Sequence, residues 1–385
     1  MLNAIGRREV DYTPCAFMSF SAMRGRCHDA YEVVEKELAR GLDSMVFVPS
    51  AWRGERRNHP DLRGLPVRLP PEVDVRLWEE NVPEEPYPIL HKEYRSPAGK
   101  LWTRVRKTDD WPHGNYVPFI DDYQIPRAVK PLITEPSDLN VLRTLLREPR
   151  PEEIAAFYAE FARACAFARA HNIMLAGGWG VGADMAAWLC GFESLMLMTH
   201  DQPAMLSELL EIISIWNQAR MRPVLEAGVD LYIRRGWYEG GDFWSPRLYE
   251  RYLLPILRKE AELAHDYGTA FGYIMTTGAL PMLDQIRNAG VDVLLGADPL
   301  QSDDEPLRSM REKLGGQVAI WGGVNGALTV EEGSAENVRQ AVGCALETMR
   351  DVPGFVLSPV DNITEVTRNT WQNVDVLIET WKQLR

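Results

Sequence analysis

The sequence predicts an α/β fold, a (β/α)8 TIM-type barrel with a long lid-like insertion after its second strand. In the last 155 residues, short apolar runs alternate five times with segments of helical periodicity, a pattern typical of βαβ units and a buried parallel sheet. The N-terminal half adds three similar runs, and eight strand–helix units close a barrel without edge strands. An open doubly wound sheet is the alternative; because the sequence lacks a dinucleotide-binding fingerprint, we favour the barrel.

The predicted strands follow one another along the whole chain. Their ranges are 12–18, 44–50, 173–180, 231–237, 270–275, 291–298, 317–323 and 354–360. Helices are predicted between them, among them one that Asp29 caps and that ends at Gly41, one over 151–171, one over 203–226 and one that begins at Ser245-Pro246. We therefore interpret residues 1–385 as a single barrel domain.

The insertion covers about residues 51–150 and is rich in proline, tryptophan and charge. Within it, residues 93–107 predict a hairpin of two alternating strands around Pro97-Ala98-Gly99. A connection this long within a barrel is usually a lid or an interface element.

Composition and charge exclude several classes of partner. A net charge of −13 argues against nucleic acids and anionic membranes, which bind basic surfaces. The nearest basic run, Arg53, Arg56 and Arg57 beside Glu55, is typical of a solvated loop. The sequence contains neither a secretory apolar segment at its N-terminus nor an apolar run long enough to cross a membrane, and its five cysteines are scattered. We therefore expect a soluble, cytoplasmic protein.

Polar and aromatic residues follow the predicted strands, where the working residues of parallel α/β sheets lie. The candidate catalytic residues are carboxylates that could act as general bases or anchor a substrate: Glu239, Asp298 and Asp361. The candidate substrate-binding residues are Trp179, Trp237, Tyr238, Asp242, Tyr273, Trp321, Asn325 and Asn362. Acidic groups beside aromatic rings suit a flat or cationic ligand.

Structural roles remain open for several of these residues. Glu239 and Asp242 could instead cap backbone amides of their loop, and Asp298 could cap a helix. Tyr273 could equally be a structural tyrosine. We expect a small-molecule substrate at this end of the sheet whichever of these residues contact it.

A zinc site made of histidine and cysteine has little support. The sequence contains no HxC, HExxH or Cys–His spacing, and none of its seven histidines follows a predicted strand. We therefore name no metal ligands, and a metal bound by carboxylates stays open. A covalent nucleophile has no support either, because neither a G-x-S-x-G elbow nor a Cys–His pair is present.

Four segments of the C-terminal half resemble the uroporphyrinogen decarboxylase superfamily. They are GVDLYIRRGWYEGGDFWSPRLYERYLLPILRKE, AGVDVLLGADP, QVAIWGGVNG and PGFVLSPVDNITEVT. The resemblance covers residues 155–385 well and 3–49 weakly. It implies a (β/α)8 barrel with a cleft at the strand C-termini, often in a homodimer. The superfamily includes the decarboxylases of haem synthesis and methyltransferases that serve corrinoid proteins.

Departures from the family pattern favour one branch. The arginine-rich element that binds the tetrapyrrole carboxylates is replaced by Ser19-Phe20-Ser21-Ala22-Met23, and residues 46–50 lack the catalytic aspartate. Asp361 replaces a histidine, and Tyr273-Ile274-Met275 replaces the HxC zinc motif of thiol-activating methyltransferases. The resemblance therefore implies a methyltransferase or demethylase for a small methylated donor, with a corrinoid protein as partner and acceptor, and it argues against true uroporphyrinogen decarboxylation. A lyase or decarboxylase of a small carboxylic acid, or a non-catalytic binding barrel, is the alternative.

Overall fold

The computed structural model describes residues 1–49, 65, 67–300 and 305–385. The predicted basic run Arg53, Arg56 and Arg57 lies outside the described residues. The strands are β1 Met45–Val48, β2 Asp74–Glu80, β3 Ile89–Ser96, β4 Gly99–Arg106, β5 Ala128–Lys130, β6 Met174–Gly180, β7 Leu231–Arg235, β8 Ala270–Ile274, β9 Val293–Ala297, β10 Ala319–Asn325 and β11 Phe355–Val360.

The helices occupy the connections between the strands. They are α1 Leu2–Ile5, α2 Ser21–Arg24, α3 Ala30–Ala39, α4 Asp138–Leu145, α5 Pro151–His171, α6 Ala183–Cys190, α7 Phe192–Asp201, α8 Pro203–Ala227, α9 Pro246–Tyr252, α10 Leu254–Asp266, α11 Leu283–Asn288, α12 Pro306–Leu314, α13 Ala335–Thr348 and α14 Arg368–Leu384. Short 3-10 helices cover Ile125–Arg127 and Leu280–Met282, and a π-helix covers Gly326–Glu331.

Seven strands form one parallel sheet in the order β1-β6-β7-β8-β9-β10-β11. Five of them, β7 to β11, are consecutive in the chain and are buried at every residue except the ends of β8 and β10. Burial of both faces explains their continuous apolar sequences. The chain therefore has the α/β fold predicted, with a curled parallel sheet that is compatible with a TIM-type barrel.

The predicted first strand, 12–18, contributes only one bridge, between Cys15 and Leu357 of β11. The amide of Cys15 donates to the Asp43 side chain (3.0 Å), and its carbonyl accepts from the Asp43 amide (2.9 Å). Because the Asp43 side chain, and not a backbone carbonyl, accepts from the Cys15 amide, no regular backbone ladder forms between this segment and β1. The segment nevertheless links β11 to the residues that precede β1, the two ends of the strand order.

The predicted helix starts are confirmed by their caps. The side chain of Asp29 accepts from the amide of Glu32 (2.9 Å) at the start of α3. The side chain of Ser245 accepts from the amide of Leu248 (3.3 Å) at the start of α9, where Pro246 needs no amide partner. These caps fix where the chain leaves each loop and turns back along the sheet.

The chain divides into two compact units. The first comprises Met1–Trp52, Ala159–Gly178 and Leu225–Arg385, and the second comprises Arg53–Tyr158 and Trp179–Val224. The second unit is thus larger than the predicted insertion. It carries an antiparallel sheet in the order β2-β3-β4-β5, in which β3 and β4 form the predicted hairpin. The lid role of this region stays a prediction.

Candidate functional site

The ends of β7 and β11 meet in a direct side-chain contact. Trp237, two residues after β7, donates its indole N–H to Oδ2 of Asp361, the residue after β11, at 3.1 Å. Three strands separate β7 from β11 in the sheet order. In a flat sheet, four strand spacings would hold these ends about 19 Å apart. The contact therefore requires the sheet to curl, and it places an aromatic ring beside an exposed carboxylate.

A guanidinium group covers one part of the Trp237 ring. Arg235, the last residue of β7, is only 8% exposed, and its guanidinium carbon lies 4.5 Å from the centre of the Trp237 ring. A cation at this distance is attracted to the face of the indole and fixes its orientation. The sequence analysis did not select Arg235, although it directly precedes the predicted loop.

Asp298 and Asn325 form a second pair at the ends of neighbouring strands β9 and β10. The amide nitrogen of the Asn325 side chain donates to Asp298 Oδ2 at 2.7 Å, and the amide of Leu300 donates to Oδ1 at 2.9 Å. Burial raises the pKa of Asp298, although both hydrogen bonds oppose the change. Asn325 also accepts from the amide of Leu328 (2.7 Å), which caps the π-helix. Asp298 is thus a half-buried carboxyl that is held in place and protonates more readily than usual.

Glu239 lies in a buried ionic cluster rather than on an open surface. Its Oε2 accepts from Arg234 of β7 and from the hydroxyl of Tyr273 of β8, both at 2.5 Å. Arg234 also donates to Glu260 of α10 (2.9 Å), and the hydroxyl of Tyr249 donates to that of Tyr273 (3.3 Å). The three charged residues are each no more than 1% exposed, and Tyr273 and Tyr249 are fully buried.

The charges of this cluster compensate one another. Burial alone would lower the pKa of Arg234, but the carboxylates of Glu239 and Glu260 outweigh burial and raise it well above its usual value. Burial and the charge of Glu239 raise the pKa of Tyr273 well above its usual value. The guanidinium therefore remains charged and the phenol remains protonated. Arg234, Glu260 and Tyr249 were not among the predicted residues; the signal for them was an arginine inside an apolar strand, which needs a buried carboxylate.

The loop after β7 packs closely on the loop after β8. The amide of Gly241 donates to the carbonyl of Gly278 at 2.7 Å, and a Cβ on Gly278, whose φ is +61°, would lie 2.4 Å from the nitrogen of Gly241. Tyr238 is half-buried, and its carbonyl accepts from the indole of fully buried Trp244 (2.9 Å). Asp242 is exposed on this loop. Close backbone contact thus fixes the loop that carries Trp237 and Tyr238.

Two other predicted residues have structural contacts. Trp321 of β10 is fully buried and donates its indole N–H to the carbonyl of Ala16 at 2.8 Å. Asn362 accepts from the amide of Ser21 (3.1 Å) and donates to its hydroxyl (2.9 Å), so it holds the start of α2. A fully buried side chain such as Trp321 or Tyr273 contacts no ligand without a rearrangement. Trp179 belongs to the second unit and has a φ of +107°.

The structure therefore brings the predicted residues of the first unit into three separate groups. These are Trp237 with Asp361, Asp298 with Asn325, and Glu239 with Tyr273. Of the three groups, the first two lie at strand ends with exposed or half-buried side chains, and the third is buried. Within residues 1–49, 67–300 and 305–385, no group of three or more His, Cys, Asp and Glu side chains is arranged to hold a metal ion. No helix of the described chain is both long and apolar enough to cross a membrane.

Comparison with known proteins gives concordant results. Residues 114–384 match the model of the family described as uroporphyrinogen decarboxylase (URO-D). A uroporphyrinogen decarboxylase from Syntrophotalea carbinolica is 24% identical over 243 residues, which are 61% of this chain and 66% of the relative, so the chain spans about two thirds of that relative's length. A methyltransferase from Methanosarcina mazei superposes with a TM-score of 0.60 at 14% identity, covering 99% of this chain and 97% of its own. At this identity the superposition shows a shared fold.

Proposed function

Because the chain belongs to the uroporphyrinogen decarboxylase family, whose model matches residues 114–384, we propose that it is a methyltransferase or demethylase. Its substrate is a small methylated donor, and a corrinoid protein is the partner that accepts the methyl group. The fold shared with a methyltransferase along nearly the whole chain supports this choice. The segment 19–23, which lacks arginine, also supports it over decarboxylation of a tetrapyrrole with many carboxylates.

The contact between Trp237 and Asp361 carries the proposal (3.1 Å). An indole ring attracts a cationic or polarised methyl group through its face, and an exposed carboxylate beside the ring adds attraction for a cation. Because the Arg235 guanidinium lies over the same ring, the pair suits a neutral donor with a polarised methyl group at least as well as a cationic one. In this role Trp237 orients the donor and Asp361 contacts it.

Asp298 is the candidate donor of the proton that the reaction needs. When a methyl–oxygen or methyl–nitrogen bond of the donor breaks, the methyl group passes to the acceptor and the leaving atom takes up a proton. A carboxyl whose pKa is raised by burial supplies a proton closer to neutral pH than an exposed aspartate does. Asn325 holds the carboxyl through the 2.7 Å hydrogen bond. We assign positioning to the buried cluster of Glu239, Arg234 and Tyr273, which contacts the loop that carries Trp237.

An anaerobic assay tests this proposal. The purified protein is incubated with cob(I)alamin and, separately, with methoxylated aromatic and methylamine donors, and the formation of methylcobalamin is followed by absorbance. We expect turnover with one donor class and a rate about 10-fold lower in Asp361→Asn. Asp266→Asn is the matched control, because Asp266 is an exposed carboxylate at the end of α10. Absence of methylcobalamin with every donor would reject the proposal.

Arg235 favours one alternative, a lyase or decarboxylase of a small carboxylic acid. Its guanidinium is nearly buried beside Trp237, where it could pair with the carboxylate of a substrate. Release of CO2 from a small carboxylic acid, abolished by Arg235→Lys and Asp361→Asn without any methyl transfer, would select this reaction instead.

A further inference from the structure

Strand β2 forms an exposed edge of the antiparallel sheet in the second unit. It stands first in the strand order β2-β3-β4-β5, and no strand of the described chain pairs with its outer side. Six of its seven residues are exposed, and Val75 is half-buried. Leu77 is 38% exposed and Trp78 is 44% exposed. An edge strand offers unpaired backbone groups to another strand, and the four charged side chains of β2 admit only a partner strand whose charges complement theirs.

We propose that β2 pairs antiparallel with β2 of a second copy of this chain, so that two four-stranded sheets join into one in a homodimer. The inference is independent of the proposed reaction. It rests on the exposed edge and on the order of charges along the strand.

Symmetry restricts the registers of such a pair. A two-fold axis that relates two antiparallel copies of one strand runs perpendicular to the sheet, and side chains alternate between its two faces. Directly opposite residues therefore have either both even or both odd numbers. Each register is therefore defined by its central residue, the one residue that lies opposite the same residue of the second copy. In β2 the candidates are Asp74, Val75, Arg76, Leu77, Trp78, Glu79 and Glu80.

Charge and the length of the paired segment together select one of these registers. With Trp78 opposite Trp78 of the second copy, Arg76 lies opposite Glu80 twice, which gives two ion pairs on one face. With Leu77 at the centre, Asp74 lies opposite Glu80 twice and like charges meet. With Asp74, Arg76, Glu79 or Glu80 at the centre, that residue faces its own copy. With Val75 at the centre, Asp74 lies opposite Arg76 twice, but only three residues of β2 pair, against five with Trp78 at the centre. Opposite charges across a strand pair stabilise it and like charges destabilise it, so the register centred on Trp78 is favoured.

The side chains of this register are already held in each copy. The Trp78 ring is stacked on that of His91 in β3, with centroids 4.6 Å apart and planes 11° apart. Glu80 Oε2 lies 2.9 Å from His91 Nε2. Arg76 uses its Nε for Asp74 at 2.9 Å, a bond that leaves its terminal amino nitrogens for a second carboxylate. Pairing therefore requires little further ordering of these three side chains.

Charge reversal gives a sharp test, measured by sedimentation velocity over a concentration series of the full chain. We expect the wild type to be a dimer at high concentration. Arg76→Glu places glutamates opposite glutamates, and Glu80→Arg places arginines opposite arginines, so each variant alone should dimerise about 10- to 100-fold more weakly. An equimolar mixture of the two variants should form a heterodimer, because both cross-strand pairs are then of opposite charge.

The mixture also controls for folding, since heterodimer formation requires that both variants fold. Arg339→Glu, on the exposed face of α13, is the matched charge reversal and should leave the dimer unchanged. A monomeric wild type at all concentrations would overturn the proposal. A dimer that persists in both single variants would also overturn it, because the copies would then associate through another surface.

Discussion

Trp237 donates a hydrogen bond to Asp361 at 3.1 Å, although the two residues are 124 positions apart in the chain. The strands that precede them, β7 and β11, are separated by three other strands in the sheet. The bond joins the loops that follow β7 and β11. It therefore requires the parallel sheet to curl, and it brings together two side chains of the candidate site. The proposed function depends on this relationship, because it sets an aromatic ring and a carboxylate side by side.

The buried cluster around Arg234 is expected to dominate the stability of the site. Arg234→Met would leave the carboxylates of Glu239 and Glu260 buried without their cation, and removal of one partner of a buried ion pair costs about 3–5 kcal/mol. Urea unfolding measures this loss. Arg339→Met removes an exposed pair with Glu336 and should cost less than about 1 kcal/mol. Equal losses in the two variants would contradict the assigned role of the cluster.

Glu37 is expected to make stability depend on pH near neutrality. It is buried in α3, accepts a hydrogen bond from Ser44 and has a pKa raised from 4.5 to about 7 by burial. Between these values the folded chain holds a proton that the unfolded chain releases, so stability falls as pH rises from about 4.5 to 7 and is constant above that range for this group.

The size of this loss is about 3 kcal/mol for a shift from 4.5 to about 7. Urea unfolding at several pH values should show the decline in the wild type and a smaller decline in Glu37→Gln, in which position 37 no longer titrates. Parallel profiles for the two proteins would show that Glu37 is ionised in the folded chain throughout the range.

Asn325 is expected to set the pH range of activity through Asp298. Its hydrogen bond lowers the pKa of Asp298 against the larger effect of burial, so Asn325→Ala should raise that pKa further. If Asp298 donates the proton, kcat falls as pH rises through its pKa, and the variant should shift this fall to higher pH. Asn337→Ala, which removes the side chain that accepts from the amide of the N-cap residue Ser334 of α13, should leave the profile in place. An unchanged profile in Asn325→Ala would exclude Asp298 as the proton donor.

Gly278 is expected to be required for the position of the loop that follows β7. Gly278→Ala adds a Cβ 2.4 Å from the nitrogen of Gly241 in a left-handed backbone conformation with φ +61°. We expect a loss of more than about 2 kcal/mol in stability together with a loss of activity. Gly268→Ala is the control, because Gly268 has φ +72° and no atom within 4 Å of the added Cβ; it should cost only about 1 kcal/mol. Similar effects in both variants would show that backbone conformation, rather than loop contact, is responsible.

Seven of the eight predicted strands could be located from the sequence, because their runs are apolar and, apart from β1 with its alternating burial, are buried on both faces. The strand predicted over 12–18 is reduced to one bridge because the Asp43 side chain occupies the amide of Cys15, a contact 28 positions away that no local pattern indicates. The strand ends at which Trp237 and Asp361 of the candidate site lie were predictable for a similar reason, because both residues follow buried strands within two positions.

The burial of individual site residues was not predictable. Glu239 follows β7 as Trp237 does, but it turns inward to Arg234, and strand position alone does not determine that direction. The two adjacent arginines of β7 also differ in role: Arg234 is enclosed by carboxylates, whereas Arg235 packs on Trp237. Which of the two arginines meets buried carboxylates depends on how β7, β8 and α10 pack together.

Single-turnover methyl transfer in wild type, Trp237→Phe, Asp361→Asn and the double variant tests the central claim most directly. Phenylalanine keeps an aromatic ring and removes the indole donor, and asparagine removes the charge. We expect each single variant to lower the rate about 10-fold, and the double variant to be less impaired than the product of the two, because Trp237→Phe removes and Asp361→Asn weakens one shared hydrogen bond. Wild-type rates in both single variants would contradict the assignment of this pair to the site.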